Sequence, residues 1–211
     1  MLNTQCLDAI FTRTSIRRFK LTPIPDEVII KILEAGTRAP TASGGEQWFF
    51  MVIADEETRK SVHRLLRRAH EIYARDSLLE PYSEDSIVKW MKRIDEGMYY
   101  APLYIAAFLD LRKRIHRDEY LQYERVLAIQ SLSAALQNMI ISAWLLGVGS
   151  VWLGVPLLLK EEFDRLLNPP QGCELQAVIA FGYPSEEPRL RKRKNINEVV
   201  VFKHGQELHR A

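Results

Sequence analysis

The apolar residues of this chain fall into short continuous runs that predict buried β-strands. Runs of strand length lie at residues 48–54, 103–109 and 175–181, and a shorter run lies at 150–153. We interpret all four as strands, and we expect 48–54 to be a buried central strand because it is apolar without interruption.

Apolar residues at helical spacing predict helices between these strands. The predicted helices cover residues 3–12, 25–36, 55–69, 125–146 and 160–167. In the first helix the apolar residues are Leu7, Ile10 and Phe11. The helix at 125–146 is the longest and is rich in Ala and Ser, so we expect it to be buried on nearly every side. This composition suits a monomer core and equally suits helix packing across a subunit boundary.

Residues 71–98 are polar, are interspersed with aromatic residues and fit no simple core element. We expect residues 71–100 to form a lid over a binding site, with Tyr73 and Trp90 as candidate substrate contacts. The same aromatic residues are equally compatible with packing between helices.

The order of predicted helices and strands indicates a layered α/β or α+β fold. We find no internal repeat, low-complexity segment or interdomain linker, and 211 residues are enough to bury one large core. We therefore expect a single domain over residues 1–211.

Charge and cysteine content narrow the function classes. The 29 Lys and Arg residues against 27 Asp and Glu residues leave a net charge of +2, which argues against nucleic-acid binding. Cys6 and Cys173 form no CxxC pair, and the five histidines lack ligand spacing, so we predict neither a disulfide framework nor a metal site. The start lacks a signal-peptide pattern, and no apolar run reaches about 18 residues, so we expect a cytoplasmic protein without a membrane partner.

Two basic clusters at opposite ends of the chain are candidates for binding a phosphate group. Arg13, Ser15 and Arg17 supply fork-shaped donors and a hydroxyl within five residues. After the strand at 175–181, alternate arginines at 189–193 would point to one side of an extended backbone. Each cluster alone is also compatible with solvated surface charge.

Four segments together resemble the nitroreductase family of FMN-dependent oxidoreductases. They are RTSIRRF at 13–19, APTASGGEQWFF at 39–50, LQNMIISAWLLGVGSVWLG at 136–154 and FGYPSEEPRLRKR at 181–193. The resemblance implies an α+β fold with a three-layer α/β/α arrangement and a mainly antiparallel central sheet. It also implies a homodimer formed around the long central helix, with FMN in clefts at the subunit interface and the tail at 184–211 contacting the partner subunit.

The resemblance assigns cofactor-binding roles residue by residue. Arg13, Thr14 and Ser15 match positions that grip the FMN phosphate and ribityl chain, and Arg17 matches a basic residue beside the flavin pyrimidine edge. The remaining matches are the C-terminal phosphate pair and the segment whose backbone approaches the flavin ring: Arg191, Arg193, Leu153 and Gly154. Gly44 stands where the family often has an Asn that hydrogen-bonds the flavin, so its loop departs from the common pattern.

The resemblance also implies the reaction. Gly147 and Gly149 follow a helix and form no dinucleotide-binding fingerprint, so NADH or NADPH would be a transient electron donor. The expected chemistry is ping-pong hydride transfer through FMN to a nitroaromatic, a quinone or a similar electron-poor acceptor, with no catalytic residue beyond the flavin and no metal.

Two alternative functions stay open. One is reductive dehalogenation of the deiodinase type, because residues in the predicted lid are reminiscent of a clamp for an amino-acid zwitterion: Glu71, Tyr73, Lys89 and Lys92. The other is a non-catalytic protein that binds or senses flavin. A third reaction, the oxidative breakdown of flavin, has no support in these residues.

Overall fold

The structure is a computed structural model that describes residues 5–204 and 207–210. Its helices are α1 (Gln5–Thr12), α2 (Asp26–Thr37), α3 (Glu56–Asp76), α4 (Glu84–Asp95), α5 (Leu121–Leu145), α6 (Lys160–Leu167) and α7 (Ile196–Val199). Its strands are β1 (Trp48–Ile53), β2 (Leu103–Asp110), β3 (Gly149–Leu153), β4 (Cys173–Gly182), β5 (Val201–His204) and β6 (Glu207–Arg210). The predicted helix start at residue 3, part of the predicted tail and the side chain of Cys6 lie outside the described residues.

Four strands form one antiparallel sheet in the order β1-β2-β4-β3, and β5 pairs with β6 in a separate hairpin. The prediction that 48–54 is a central strand was wrong, since β1 lies at an edge and Val52 is 41% exposed. Its apolar run has another cause: Phe49 and Met51 pack on one side of the sheet, and Trp48 and Phe50 pack on the other. An edge strand covered by helices on both faces has the same pattern as a central strand.

Alternate residues of the sheet enter two separate cores, one on each face. Along β2, Tyr104 and Phe108 join a core shared with α3, α4 and α6, whereas Ile105 and Leu109 join a core shared with α2 and α5. A bulge in β4 at Gln176 shifts the pairing with β2 by one residue. The helices cover both faces of the sheet, and this arrangement confirms the predicted three-layer α+β fold.

Helix α5 is buried along one side and exposed along the other. The buried residues include Glu124, Ser131 and Met139, which face α2, the sheet and the adjoining loops. The exposed side carries large apolar residues: Tyr123, Val126, Ile129 and Leu145. The prediction of burial on nearly every side was therefore wrong for a single chain.

The segment that contains α5 is long and apolar enough to span a membrane by length and composition alone. It covers Asp118–Leu145, and this is the one such helix found within the described residues. Nine residues of α5 are buried in the protein, including a charged one, so the helix is explained as the core helix of this fold.

Helix α1 also exposes the apolar residues that predicted it. Leu7, Ile10 and Phe11 lie on the surface of the single chain, with Phe11 at 72% exposure, whereas Ala9 is buried. The helical prediction for the described part of 3–12 is correct. The sequence pattern predicted that α1 has an apolar face. It did not predict that this face is exposed to solvent in a single chain.

Residues 71–98 contain ordinary core structure, contrary to the prediction. Helix α3 continues to Asp76, and α4 buries three residues at helical spacing: Ile87, Met91 and Ile94. The many charged residues between these positions on α4 concealed the apolar stripe in the sequence.

Candidate functional site

The first basic cluster lies on an extended segment, residues 13–20, that runs beside the ends of β3 and β4. The amide of Ile16 donates to the carbonyl oxygen of Ser150 at 3.0 Å, which attaches the segment to β3. The amide of Lys20 donates to the carbonyl oxygen of Tyr183 at 2.8 Å, which attaches it to the chain just after β4. The strand ends therefore position Ser15 and Arg17.

Two glycines allow this close approach. Gly149 and Gly182 are opposite each other in the β3–β4 register. A Cβ atom on Gly149 would lie 2.7 Å from Cγ1 of Ile16, and one on Gly182 would lie 3.0 Å from Cβ of Phe19. Only glycine leaves room for the segment at these positions.

The two basic clusters meet in the folded chain. The hydroxyl of Thr14 donates to the carbonyl oxygen of Arg189 at 2.9 Å. Burial, and then the positive charge of Arg193, lower the pKa of the Arg13 guanidinium below its ordinary value. Neither Arg13 nor Arg193 has a carboxylate partner among the described residues. Two adjacent cations without a counter-charge form a site suited to an anion.

A cleft of about 970 Å³ lies beside this cationic site. Its walls include Ser15, Arg17 and Arg191 from the two basic clusters, and Tyr73 and Trp90 from the predicted lid. In all, five arginines and two glutamates line it, so positive charge prevails in the cleft. Its volume is at the upper end of ligand sites, enough for a ligand larger than a typical drug molecule.

The remaining predicted site residues lie outside the cleft walls. Arg13, Thr14 and Arg193 adjoin its cationic end. Leu153 ends β3, where it is buried, and Gly154 follows it with no atom within 4 Å of an added Cβ.

Gly44 lies in a turn that is attached to α5 and does not line the cleft of its own chain. The amide of Ala42 donates to the hydroxyl of Ser131 at 3.1 Å. Gly44 has φ +64°, which suits glycine, and an added Cβ there would meet no atom within 4 Å. The attachment therefore holds this turn to the buried side of α5, where Ser131 lies.

The turn is anchored further by a buried carboxylate that the sequence did not indicate. Glu124 is fully buried and accepts hydrogen bonds from Gln47 at 2.8 Å, from Arg114 at 2.5 Å and from the amide of Ile115 at 2.7 Å. Burial alone would raise the pKa of Glu124, but these hydrogen bonds outweigh it and lower the pKa to about 2. The available signal was that Glu124 is the one acidic residue of α5.

Glu186 is a second residue that the sequence interpretation missed. Its carboxylate accepts from the amide of Arg17 at 2.7 Å and from the amide of Arg18 at 3.2 Å. It therefore holds the first basic segment against the chain that leads to Arg191. Its place in the FGYPSEEP stretch between the strand and the second basic cluster was the only sequence signal.

Residues 71–100 form the aromatic wall of the cleft. Tyr99 donates its amide to the carbonyl oxygen of Arg17 at 2.7 Å, so this wall is attached to the first basic segment. The ring of Tyr99 stacks on His70 at 4.6 Å between centroids. Burial lowers the pKa of His70, which favours the neutral imidazole in this stack. Tyr99 has φ +70°, an uncommon value for a bulky residue.

Comparisons with known proteins agree with this fold. A sequence model of the Nitroreductase family matches residues 10–183. A protein from Archaeoglobus fulgidus, provisionally named an NADH dehydrogenase/NAD(P)H nitroreductase, is 32% identical over 87% of each chain. An iodotyrosine deiodinase from Thermotoga neapolitana is 25% identical over 90% of this chain and 92% of its own length.

The solved structures include one with the same fold from Vibrio harveyi. It is an NADPH:FMN oxidoreductase in complex with NAD+, with a TM-score of 0.73 and 19% identity over 97% of this chain and 79% of its own length. The fold and the relatives define an enzyme of the oxidoreductase class. The chain belongs to the nitroreductase family.

Proposed function

We propose that this chain is an FMN-dependent oxidoreductase with NADH or NADPH as a transient electron donor. The observation that carries the proposal is that the hydrogen bond from Thr14 to Arg189 joins the two basic clusters, while Arg13 and Arg193 have no carboxylate partner among the described residues. The phosphate of FMN supplies the missing negative charge and several acceptor oxygens. Membership of the nitroreductase family supports a flavin as the ligand.

The residues at the cleft fit FMN in charge and in size. In this proposal the phosphate and ribityl chain bind to residues of the two basic clusters: Arg13, Thr14, Ser15, Arg191 and Arg193. Leu153 and Gly154 present backbone to the flavin ring, and the open space beside Gly154 permits a close approach. The Arg17 guanidinium stabilises the negative charge that two-electron reduction leaves at the pyrimidine edge.

When bound, FMN would accept a hydride from NAD(P)H and pass it to a nitroaromatic, a quinone or a similar electron-poor acceptor. The side chains of the cleft bind and orient the reactants, so the proposal requires no nucleophile or acid–base pair from the protein. Because one cleft serves both reactants, the oxidised nucleotide leaves before the acceptor enters. This order gives ping-pong kinetics. We also propose that the enzyme is cytoplasmic.

The proposed enzyme is a homodimer that packs through the exposed side of α5. Val126 and Ile129 give this side its apolar character. We further propose that this dimer brings the turn with Gly44, which is attached to α5 through Ser131, to the cleft of the partner subunit. Residues of the predicted tail at 184–211 also expose apolar side chains, including Val199 and Phe202, which suits a contact with the partner.

The structure separates the residues that suggested deiodination. Glu71 binds Arg67 and Arg75 in a groove between α3 and α4, and Lys92 lines that same groove. Only Tyr73 of the four residues lines the cleft. The deiodinase alternative therefore rests on the names of relatives, and an assay with iodotyrosine as the only acceptor tests it directly.

Steady-state kinetics tests the proposed function. We expect NAD(P)H oxidation that depends on FMN and on an added quinone or nitroarene, with parallel double-reciprocal plots at several acceptor concentrations. A protein that binds FMN but never oxidises NAD(P)H would favour the non-catalytic alternative. Intersecting plots would contradict the ping-pong order.

A further inference from the structure

Helix α4 presents adjacent faces to the core and to the cleft. Its core face carries three apolar side chains at helical spacing: Ile87, Met91 and Ile94. The residue that directly precedes each of these three lines the cleft, and these cleft residues are Ser86, Trp90 and Arg93. The helix therefore places Arg93 one turn from Trp90 on the cleft wall.

Trp90 is the centre of the aromatic wall. Its ring meets those of Tyr82 and Tyr73 nearly at right angles, with centroid distances of 5.7 and 6.3 Å. His70 contacts the same ring at 5.4 Å. Edge contacts of this kind fix the orientation of aromatic side chains, so the wall offers a defined apolar surface to a planar ligand.

Arg93 has no anionic partner among the described residues, in contrast to Arg67 and Arg75 on α3. Arg67 binds Asp95 at 2.6 Å in the groove between these helices, and Arg75 binds Glu84 at 2.8 Å. In the part of the chain that the structure describes, no hydrogen bond or ion pair reaches the guanidinium of Arg93. A cation on the cleft wall is thus available to a ligand.

The glutamates of the cleft leave Arg93 available. Glu186 is engaged by the amides of Arg17 and Arg18. Glu187 is exposed and forms no ion pair with Arg93. An anionic group beside the aromatic wall therefore gains an attraction that a neutral group does not.

We propose that the natural acceptor class of this cleft is aromatic carboxylic acids, with the ring against Trp90 and Tyr82 and the carboxylate on Arg93. A guanidinium binds a carboxylate through two parallel hydrogen bonds, which would also fix the orientation of the ring. This inference rests on the proposed function. For a nitro acid, one NAD(P)H and one proton reduce the nitro group to a nitroso group, and the lost oxygen leaves as water.

The test compares 4-nitrobenzoate with 4-nitrobenzamide, which are similar in shape but differ in charge. We divide kcat/KM for 4-nitrobenzoate by kcat/KM for 4-nitrobenzamide. We expect Arg93→Gln to lower this ratio about tenfold, because one charge-assisted contact with the carboxylate is lost. A general loss of activity lowers both kcat/KM values by the same factor and therefore leaves their ratio unchanged. Lys92→Gln is the matched control, since it removes the neighbouring positive charge in the groove away from the cleft. The control should leave the ratio within about twofold.

Two further measurements separate the possible failures. If Arg93→Gln lowers kcat/KM for NADPH and leaves the acceptor ratio unchanged, the anion bound there is a nucleotide phosphate and the inference is overturned. Calorimetric binding of benzoate and benzamide to the FMN-loaded protein tests the site without turnover. A benzoate preference that Arg93→Gln abolishes supports the inference, and equal binding overturns it. Failure of NAD(P)H oxidation with quinones instead contradicts the proposed function.

Discussion

At the scale of single residues, the site depends on charges that meet only after folding. Arg13 and Arg193 are separated by almost the whole chain, yet the charge of one lowers the pKa of the other. The sequence indicated each basic cluster, and the family resemblance gave both clusters a phosphate role. Their contact could not be predicted from local pattern, because it depends on how β3 and β4 bring the two segments together.

Arg13→Ala tests the phosphate role. We expect the loss of a charge-assisted hydrogen bond worth about 2 kcal/mol, which weakens FMN binding roughly 30-fold. Fluorescence titration of the apoprotein with FMN measures this change. The matched control is Arg165→Ala on α6, an exposed arginine that lines a different groove. Equal FMN affinity in both variants would refute the phosphate assignment.

Glu124 gives a prediction about pH. Its folded-state pKa of about 2 lies below the ordinary value of 4.5. The ionised Glu124 carboxylate therefore stabilises the folded state fully above about pH 4.5, and this contribution is lost as pH falls toward 2. Glu124→Gln should lower the free energy of unfolding by about 2 kcal/mol near neutral pH, because Arg114 loses its buried carboxylate partner.

Thermal unfolding across this pH range tests the prediction. We expect the difference in Tm between wild type and Glu124→Gln to be about 4–8 °C at pH 7 and to shrink below pH 4.5. The control is Glu119→Gln, since Glu119 is exposed and its side chain makes no hydrogen bond or ion pair among the described residues. A difference that grows on acidification would contradict the assigned pKa direction.

At the scale of elements, the apolar spacing predicted most of the helices and strands. It did not predict where each element lies in the folded protein. The strand at 48–54 is correct as an element but lies at the sheet edge. Helix α4 was missed because three apolar residues lie among many charged ones. Edge position and cover by other helices are set by tertiary packing, which the local pattern does not encode.

Gly149→Ala tests how β3 positions the first basic segment. The added Cβ would lie 2.7 Å from Ile16, so the segment must shift. We expect a loss of about 1–3 kcal/mol in stability together with weaker FMN binding. In a double-mutant cycle with Ile16→Ala, the glycine substitution should cost less, because Cγ1 and Cγ2 of Ile16 are gone and only its Cβ atom remains close, at 2.9 Å. If the free-energy costs of the two substitutions were strictly additive, the close approach of Ile16 to Gly149 would not be the cause of the lost stability.

Gly154→Ala separates cofactor approach from protein packing. An added Cβ meets no protein atom within 4 Å, and φ is −92°, so the stability of the apoprotein should stay within about 0.5 kcal/mol of wild type. If the flavin ring lies against this backbone, the same methyl group weakens FMN binding. Unchanged affinity would remove Gly154 from the site.

At the scale of the whole molecule, the single chain leaves apolar surface that a second copy would cover. The uncovered residues include Phe11 on α1 and Val126 and Ile129 on α5. The sequence could not decide between a core helix and an interface helix, because both bury apolar residues. The structure shows one buried side and one exposed side, which explains why the composition fitted both roles.

The proposed homodimer would have twice the chain mass of 24.5 kDa. The double variant with Val126→Glu and Ile129→Glu should be monomeric by light scattering, without loss of monomer stability, because both positions are exposed. Val88→Glu on α4 is the control for an added charge at an exposed apolar position. We also expect the monomeric variant to retain less FMN, since the turn with Gly44 would no longer reach the partner's cleft. A wild-type monomer that retains FMN fully would contradict this arrangement.

The central claim is that the two basic clusters hold a flavin that NAD(P)H reduces. The most direct test is the visible absorption spectrum of the purified protein, recorded after FMN loading and again after anaerobic addition of NADH or NADPH. We expect bound oxidised flavin whose absorption bands bleach on addition of the nucleotide. A protein that binds no FMN, or whose bound flavin stays oxidised with both nucleotides, would contradict it.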